Sequence, residues 1–254
     1  IFMERKLYGT VLIKAADILD TVADGKSKSI QEIAVQTQIG APTVSKILTT
    51  LEYLHYVSKA EATKHYSLGS KLVQFGLVHT QTTDIVDMTF PMLEKLQSKI
   101  DETIHLAVPQ GDKVVYVNNL EPKHQGIYMT SKIGMTRELY SSGIGKAVLS
   151  TLSDKKIDQY LKRTDLKPFT KHTITNSLEL KEDIEKTRKR GYAIDNEEQE
   201  DGGYCIAMPI RKAGKAIAAM SISIPKFRLT TPYKTEIVKD LNVAKSNIED
   251  ELNK

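Results

Sequence analysis

Between Ser29 and Leu54 apolar positions recur twice at helical spacing: Ile30, Ile33 and Ala34, then Val44, Ile47, Leu48 and Leu51. Ser29 and Glu32 have the spacing of a capping box at the start of the first helix. Gly40 interrupts the pattern, and Pro42 suits the first turn of a second helix. Two short amphipathic helices joined by a tight turn predict a helix-turn-helix, whose second helix can enter a DNA major groove. Lys46, Thr49 and Tyr53 fall opposite the second apolar stripe, flanked by Thr43 and Ser45. These side chains suit groove reading, on a face the core does not need. Taken alone, the stretch equally fits a helical hairpin in an all-α core.

The flanking patterns decide between the two. Leu12, Ala15, Ala16, Leu19 and Val22 predict a preceding helix, closed by the turn signal Asp24-Gly25. Arg5 and Lys6 stand ahead of it, as a phosphate-touching arm or an ordinary frayed terminus. After the motif, residues 55–59 and 65–69 read as a short hairpin, with Val57 facing one way and Tyr66 and Leu68 alternating with His65 and Ser67. Three helices and a hairpin make a winged helix-turn-helix, with Lys59 and Lys64 placed to hold phosphates. Ser70 to Gln81 reads as a linker helix carrying Leu72, Val73, Phe75 and Leu77. The expected division is a DNA-binding domain over 1–69, a linker helix over 70–82 and a second domain over 83–254.

In that second domain, Asp84 to Ile100 predicts an amphipathic helix kinked or restarted at Pro91. Thr103 to Pro109 and Lys113 to Leu120 predict a hairpin across Gln110-Gly111-Asp112, and Ile127 to Ile133 a third strand. Helices are expected over Gly143–Leu152, Asp154–Lys162 and Leu178–Arg190, the last ended by Gly191. Two further strands, Cys205–Arg211 and Ile217–Ile224, flank Lys212-Ala213-Gly214, and a helix from Thr230 to Leu252 follows. Hairpins mixed with helices imply an α+β domain on a largely antiparallel sheet.

Composition narrows the class. A chain of 254 residues can bury a sizeable core, and its one cysteine, Cys205, rules out an internal disulfide framework and fits a reducing cytoplasm. No signal-peptide pattern or membrane-length apolar run is apparent. The net charge of +4 is shared evenly, with 9 basic and 7 acidic residues up to residue 80 and 27 and 25 beyond. That excess is too small to argue nucleic-acid binding, so the case rests on pattern.

Candidate chemistry is sparse. Ser142-Gly143-Ile144-Gly145-Lys146 suggests a phosphate loop, but Tyr140 and Ala147 stand where a Walker A loop needs Gly and Ser or Thr. What survives is a glycine-rich helix start with backbone N–H groups able to receive an anion. The acidic run Asp195 to Asp201 reads as a solvated loop and lacks EF-hand or zinc spacing, so no metal or cofactor is expected. Cys205 with His105 or His172 is the only nucleophile–base pairing to weigh, and no local motif supports it. His55, His65, His79 and His124 stand singly. On the last predicted strand Met220, Ile222 and Ile224 share one face and Ser221 and Ser223 the other, so the serines line either wet surface or a polar pocket.

A series of strings then aligns with a known family: IKAADILD (13–20), IQEIA (30–34), PTVSKILTTLEYLHYV (42–57), YSLG (66–69), ETIHLAV (102–108), LYSSGIGKAVLS (139–150), RGYAIDNEE (190–198) and CIAMPI running on to SISIP (205–225). Over essentially its full length the chain resembles the isocitrate lyase regulator (IclR) family of bacterial transcription factors. The resemblance implies a winged-helix DNA-binding domain, a linker helix and an α/β effector-binding domain with an antiparallel, GAF- or profilin-like sheet. It implies dimers, often paired into tetramers, on palindromic double-stranded operators, and a small-molecule effector, for which the N–H groups at Gly143 to Gly145 favour a carboxylate. DNA contacts fall on Thr43, Ser45, Lys46 and Thr49. The effector pocket maps to Met129, Gly143, Ile144, Asp195, Cys205, Ser221 and Ser223, with Arg137 added if it points inward. Arg137 stands where some members have an apolar pocket residue, Gly203 where some have a larger apolar one, Lys46 where many have arginine and Pro42 where many have serine. The expected function is a cytoplasmic, ligand-responsive transcriptional regulator, and the rival is a cysteine-dependent enzyme with an appended helix-turn-helix.

Overall fold

The computed structural model describes residues 9–25, 28–72, 75, 80–129 and 131–253. The chain divides into two compact units, Ile1–Thr80 and Gln81–Lys254.

In the first unit, α1 (Thr10–Ala23), α2 (Ile30–Thr37) and α3 (Ala41–Tyr53) precede an antiparallel hairpin of β1 (Val57–Lys59) and β2 (Tyr66–Leu68). The capping box forms: Ser29 Oγ accepts from Glu32 N–H, and the Glu32 carboxylate accepts from the N–H of Ser29 at 2.9 Å. Gly40 ends the turn and Pro42 sits in the first turn of α3. Ile18, Ile33, Val44 and Leu48 are wholly buried, with Val22, Ile47, Leu51, Val57 and Tyr66 around them. Each wholly buried side chain contributes roughly 1.5–3 kcal/mol. The inward stripe of α1 is turned from the predicted one. It centres on Ile18, with Ala15 and Leu19 beside it, while Leu12 is 74% exposed. On β2 only Tyr66 is buried and Leu68 faces out, because a three-residue wing buries a single position per strand. Of the predicted linker helix, residues 70–72 and Phe75 are helical. Val73, Leu77 and most of the remainder lie outside the described residues, as do Arg5 and Lys6.

The second unit is built on one antiparallel sheet of six strands in the order β5-β4-β3-β8-β7-β6. The strands are β3 (Thr103–Gln110), β4 (Lys113–Leu120), β5 (Thr136–Glu138), β6 (Ala193–Asn196), β7 (Gly203–Lys212) and β8 (Lys215–Pro225). Its helices are α4 (Thr80–Ile100), α5 (Gly143–Leu149), α6 (Asp154–Arg163), α7 (Ser177–Arg190) and α8 (Thr231–Leu252). One sheet face is large and apolar. Ile104, Leu106, Ile206, Met208, Met220, Ile222 and Ile224 pack there with Leu93, Leu96, Ile237 and Leu241 of α4 and α8. The other face carries Ala107, Ala193, Ala207 and Ala219, small enough for α5 to lie close to the strands. The β7–β8 turn has Ala213 and Gly214 at φ 48° and 77°, both left-handed as a tight hairpin turn requires. Gly191 ends α7 at φ 83°.

Four expectations need correction. Of the expected strand at 127–133, the described residues 127–129 and 131–133 are not a strand. The third strand is instead the edge strand Thr136–Glu138, and residues 121–129 and 131–135 form a loop held by side chains, including Thr103 Oγ1 donating to the Met129 carbonyl at 2.6 Å. The acidic run is not a solvated loop, because Ala193–Asn196 forms β6 and both Asp195 and Glu198 are buried. Finally, α4 runs on through Pro91 without restarting, and α5 stops at Leu149, three residues early.

α5 approaches the chain segment before it through Gly145. A Cβ there would lie 2.5 Å from Leu139 Cα and 2.7 Å from the Glu138 carbonyl oxygen, both backbone atoms that cannot swing aside. Gly145→Ala is therefore expected to destabilise the chain by about 1–3 kcal/mol, checked by urea unfolding. An unchanged midpoint would show that α5 has room to shift.

Candidate ligand cavity and nucleic-acid interface

The outer face of α3 is polar. Pro42, Lys46, Thr49, Thr50 and Tyr53 are exposed, the last to 82%, and Thr43 and Ser45 are partly exposed. Thr49 Oγ1 donates to the Ser45 carbonyl at 2.9 Å, which leaves its lone pairs as acceptors toward a groove. On the wing, Lys59 and Lys64 are exposed, and Lys59 Nζ lies 5.3 Å from the Tyr66 ring centroid. The six predicted DNA-contacting residues thus lie on the outer side of α3 and on the hairpin. Tyr53, at the same helical face as Lys46 and Thr49, belongs with them.

In the second unit the alanine-lined face opens into a cavity. It encloses about 480 Å³ of space when the open solvent at its mouth is included. Strand register builds its floor. Asp195 on β6 pairs with Cys205 on β7, Cys205 with Ser223 on β8, and Ser223 with Thr103 on β3. One row along, Ala207 pairs with Ser221 and Ser221 with His105. Residues two apart share a face, so all of these point to one side. α5 closes over the row at Gly143, where a Cβ would meet Cys205 Sγ at 3.0 Å. Met129, Arg137, Gly143, Ile144, Asp195, Cys205 and Ser223 all line the cavity. Ser221 does not; it stands behind the lining, 1% exposed, with its hydroxyl 3.3 Å from His105 Nδ1.

Tyr116, Ser131, Gln199 and His105 also line the cavity, and sequence reasoning passed over them as ligand contacts. His105 is buried, stacked on Tyr116 with centroids 4.7 Å apart, and bonded through Nε2 to the Ser131 hydroxyl. Burial, with the nearby Arg137 charge, lowers its pKa to about 4, so the ring is neutral. The alternation that places Thr103 and His105 on one side of β3 is the signal that could have found it.

Charge is arranged unevenly around the cavity. Asp195 Oδ1 accepts from the N–H groups of Glu198 and Gln199 at 2.7 and 3.3 Å. Burial, then the neighbouring Glu198, nonetheless push its pKa up to about 7. Burial and Asp195 push the Cys205 thiol up to about 12, where it is neither a ready nucleophile nor a metal ligand. Ser142 Oγ caps α5 by accepting from Gly145 N–H at 3.1 Å, so that donor is already used and the expected anion cradle is smaller by one. Arg137, half-buried, lines the cavity wall with Tyr116 and makes no ion pair with a carboxylate among the described residues. Among those residues, too, no group of three or more His, Cys, Asp or Glu side chains is placed to hold a metal, and no helix is long and apolar enough to cross a membrane.

Two family models match. Residues 11–61 fit the IclR helix-turn-helix domain, and residues 78–249 fit the bacterial transcriptional regulator IclR C-terminal domain. The chain belongs to the IclR family. Its curated relatives include the HTH-type transcriptional regulator KdgR of Dickeya chrysanthemi, 32% identical over 242 residues, which span 95% of this chain and 79% of that protein. The crystal structure of the Thermotoga maritima IclR superposes with a TM-score of 0.79 at 34% identity, over 96% of this chain and 99% of that one. An IclR homologue of Microbacterium hydrocarbonoxydans, crystallised with 4-hydroxybenzoate, superposes with a TM-score of 0.78 over 95% of this chain and 98% of its own, and at 20% identity shows the fold alone. The IclR chain is a ligand-responsive, DNA-binding transcriptional regulator, and neither geometry nor likeness supports the cysteine enzyme.

The raised Asp195 pKa has a signed consequence. A carboxyl whose folded pKa exceeds its unfolded value contributes stability that is complete below about pH 3.8 and is lost as pH rises through about 7. His105 acts oppositely, because its depressed pKa costs stability as pH falls from 6.5 toward about 4. Asp195→Asn should therefore lose less melting temperature than the parent between pH 4 and about 7.5, a comparison in which the His105 contribution cancels. Equal slopes in the two proteins would show that Asp195 titrates normally.

Proposed function

We propose that the cavity binds a small carboxylate bearing hydroxyl or keto oxygens, and that this effector alters operator binding. The observation that carries the reading is Arg137: a half-buried guanidinium facing a cavity, with no carboxylate partner among the described residues. A ligand carboxylate would satisfy its fork of donors with bidentate geometry. Ser223 and Asp195 on the floor suit hydroxyl groups, and Asp195 can donate while protonated. Ile144 and Met129 supply apolar contact. Ser221 and Cys205 act from the floor and behind it. Gly143 gives the close approach of α5 that shapes the floor. No catalytic role is proposed for any of these residues.

The winged helix is proposed to read a palindromic operator in the cytoplasm as a dimer, or as a pair of dimers. A lone α3 reads a short half-site, and two-fold pairing extends it. Thr43, Ser45, Lys46 and Thr49 would face base edges, with Lys59 and Lys64 on phosphates. The effector would change the spacing of two such heads.

Calorimetry with the best carboxylate from a thermal-shift screen tests the cavity. Arg137→Gln is expected to weaken binding by about 1.5–3 kcal/mol, one to two decades in affinity, and Ser223→Ala by less. Parent-like affinity in both would place the effector elsewhere. For the other half of the reading, Lys46→Ala and Lys64→Ala should each weaken operator binding, and removing the phosphate contact should lower the salt slope by roughly one. Unchanged affinity in the double variant, or a monomer in sedimentation at micromolar concentration, would overturn the docking arrangement.

A further inference from the structure

Between β8 and α8 lies the 3-10 turn Lys226–Arg228, and its two cations reach in different directions. Arg228 Nε and Nη2 donate to the two carboxylate oxygens of Glu102 at 2.8 and 2.7 Å, while Nη1 donates to the Ile127 carbonyl at 2.7 Å. Lys226 pairs with Glu197, and its backbone N–H donates to the Gly202 carbonyl at 2.7 Å. One turn thus grips two segments that wall the cavity: the loop after β4, which supplies Met129 and Ser131, and the loop after β6, which supplies Gln199 and Glu200. Asp101 adds to the first grip by accepting from the N–H groups of Lys123 and His124 at 2.7 and 3.2 Å. Glu197 Oε1 adds to the second by accepting from Gly202 N–H at 3.1 Å.

The two grips differ in strength. Glu102 is 1% exposed, so removing Arg228 would strand a buried carboxylate. Lys226 is 41% exposed, and its pair is worth correspondingly little. Neither cation lines the cavity, so neither touches a ligand there.

We propose that this turn clasps both loops over the cavity and so sets how often the cavity opens, with Arg228, anchored on Glu102 just ahead of β3, as the positioning residue that holds the loop after β4 and Lys226 as a weaker one that holds the loop after β6. For an effector this would fix access and dwell time, a meaning that rests on the reading of the cavity given above. The opening itself can be measured without any effector.

Cys205 is the only cysteine in the chain and lies on the cavity wall, so its alkylation by iodoacetamide in the full-length protein reports opening. Arg228→Gln is expected to raise the alkylation rate by roughly tenfold, the factor by which one lost charge-assisted hydrogen bond shifts an opening equilibrium. Arg228→Lys, which keeps a charge near Glu102 but not the fork, should fall between variant and parent, and Lys226→Gln should accelerate the reaction less. Lys99→Met is the control, because it breaks the 2.6 Å pair with Asp240 between α4 and α8, on the far side of the sheet. It should lower the melting temperature and leave the Cys205 rate alone. Should Arg228→Gln fail to fold, Arg228→Lys and Lys226→Gln carry the comparison. Rates within twofold of the parent in the folded clasp variants, or equal acceleration by Lys99→Met at matched stability, would overturn the proposal. Faster alkylation in a protein whose cavity takes no carboxylate would leave the clasp standing and sink the effector reading instead.

Discussion

Lys146 is 1% exposed, and its ammonium lies 2.5 Å from Glu198 and 2.9 Å from Asp183. Burial alone would drive the proton off, but the two carboxylates outweigh it and hold the pKa above its ordinary value. A buried charge is tolerable only when paired, and removing one partner strands the other. This contact therefore fixes three elements at once: α5, α7 and the loop after β6. Its consequences reach the cavity. Lys146 pairs directly with Glu198 and Asp183, and its charge and two backbone N–H groups do not offset the burial of Asp195 and the Glu198 charge beside it, so Asp195 stays hard to ionise.

The sheet divides its labour between two faces. The apolar face supplies most of the second unit's burial against α4 and α8, with Ile, Leu and Met interdigitating. The opposite face gives up bulk. Alanines let α5 come close, and the room left beyond them is filled by hydroxyls, a thiol and an imidazole. A polar cavity can persist in such a face only if its groups bond one another, and they do. Ser131 and Ser221 hold the two nitrogens of His105, and Tyr116 stacks on its ring. The neutral ring then fixes the hydroxyls behind the floor, so the cavity is shaped before anything enters it.

In the first unit the physical demand is simpler. A helix offered to DNA must hold its polar face outward, and four buried positions on α3 hold it there. The capping box on α2 and the tight entry at Gly40 set where each helix begins, and hence the angle between them.

The sequence by itself determined what depends on local periodicity and caps. The stripes of α2 and α3, the capping box, the left-handed end of α7 at Gly191, the two long hairpins and the two-faced pattern of β8 were all legible, because each is set by neighbours within a few residues. Where periodicity was weak it misled. Residues 127–133 alternate like a strand, yet side chains distant in sequence hold the described ones in a loop, and the acidic run conceals β6 because Glu198 can be buried only once Lys146 arrives from α5. Only the tertiary structure could decide that Ser221 stands behind the cavity and His105 in its wall, and that Arg137 turns inward. Each of these depends on strand register or on packing across the sheet. Register joins residues about a hundred positions apart, and no local pattern encodes that.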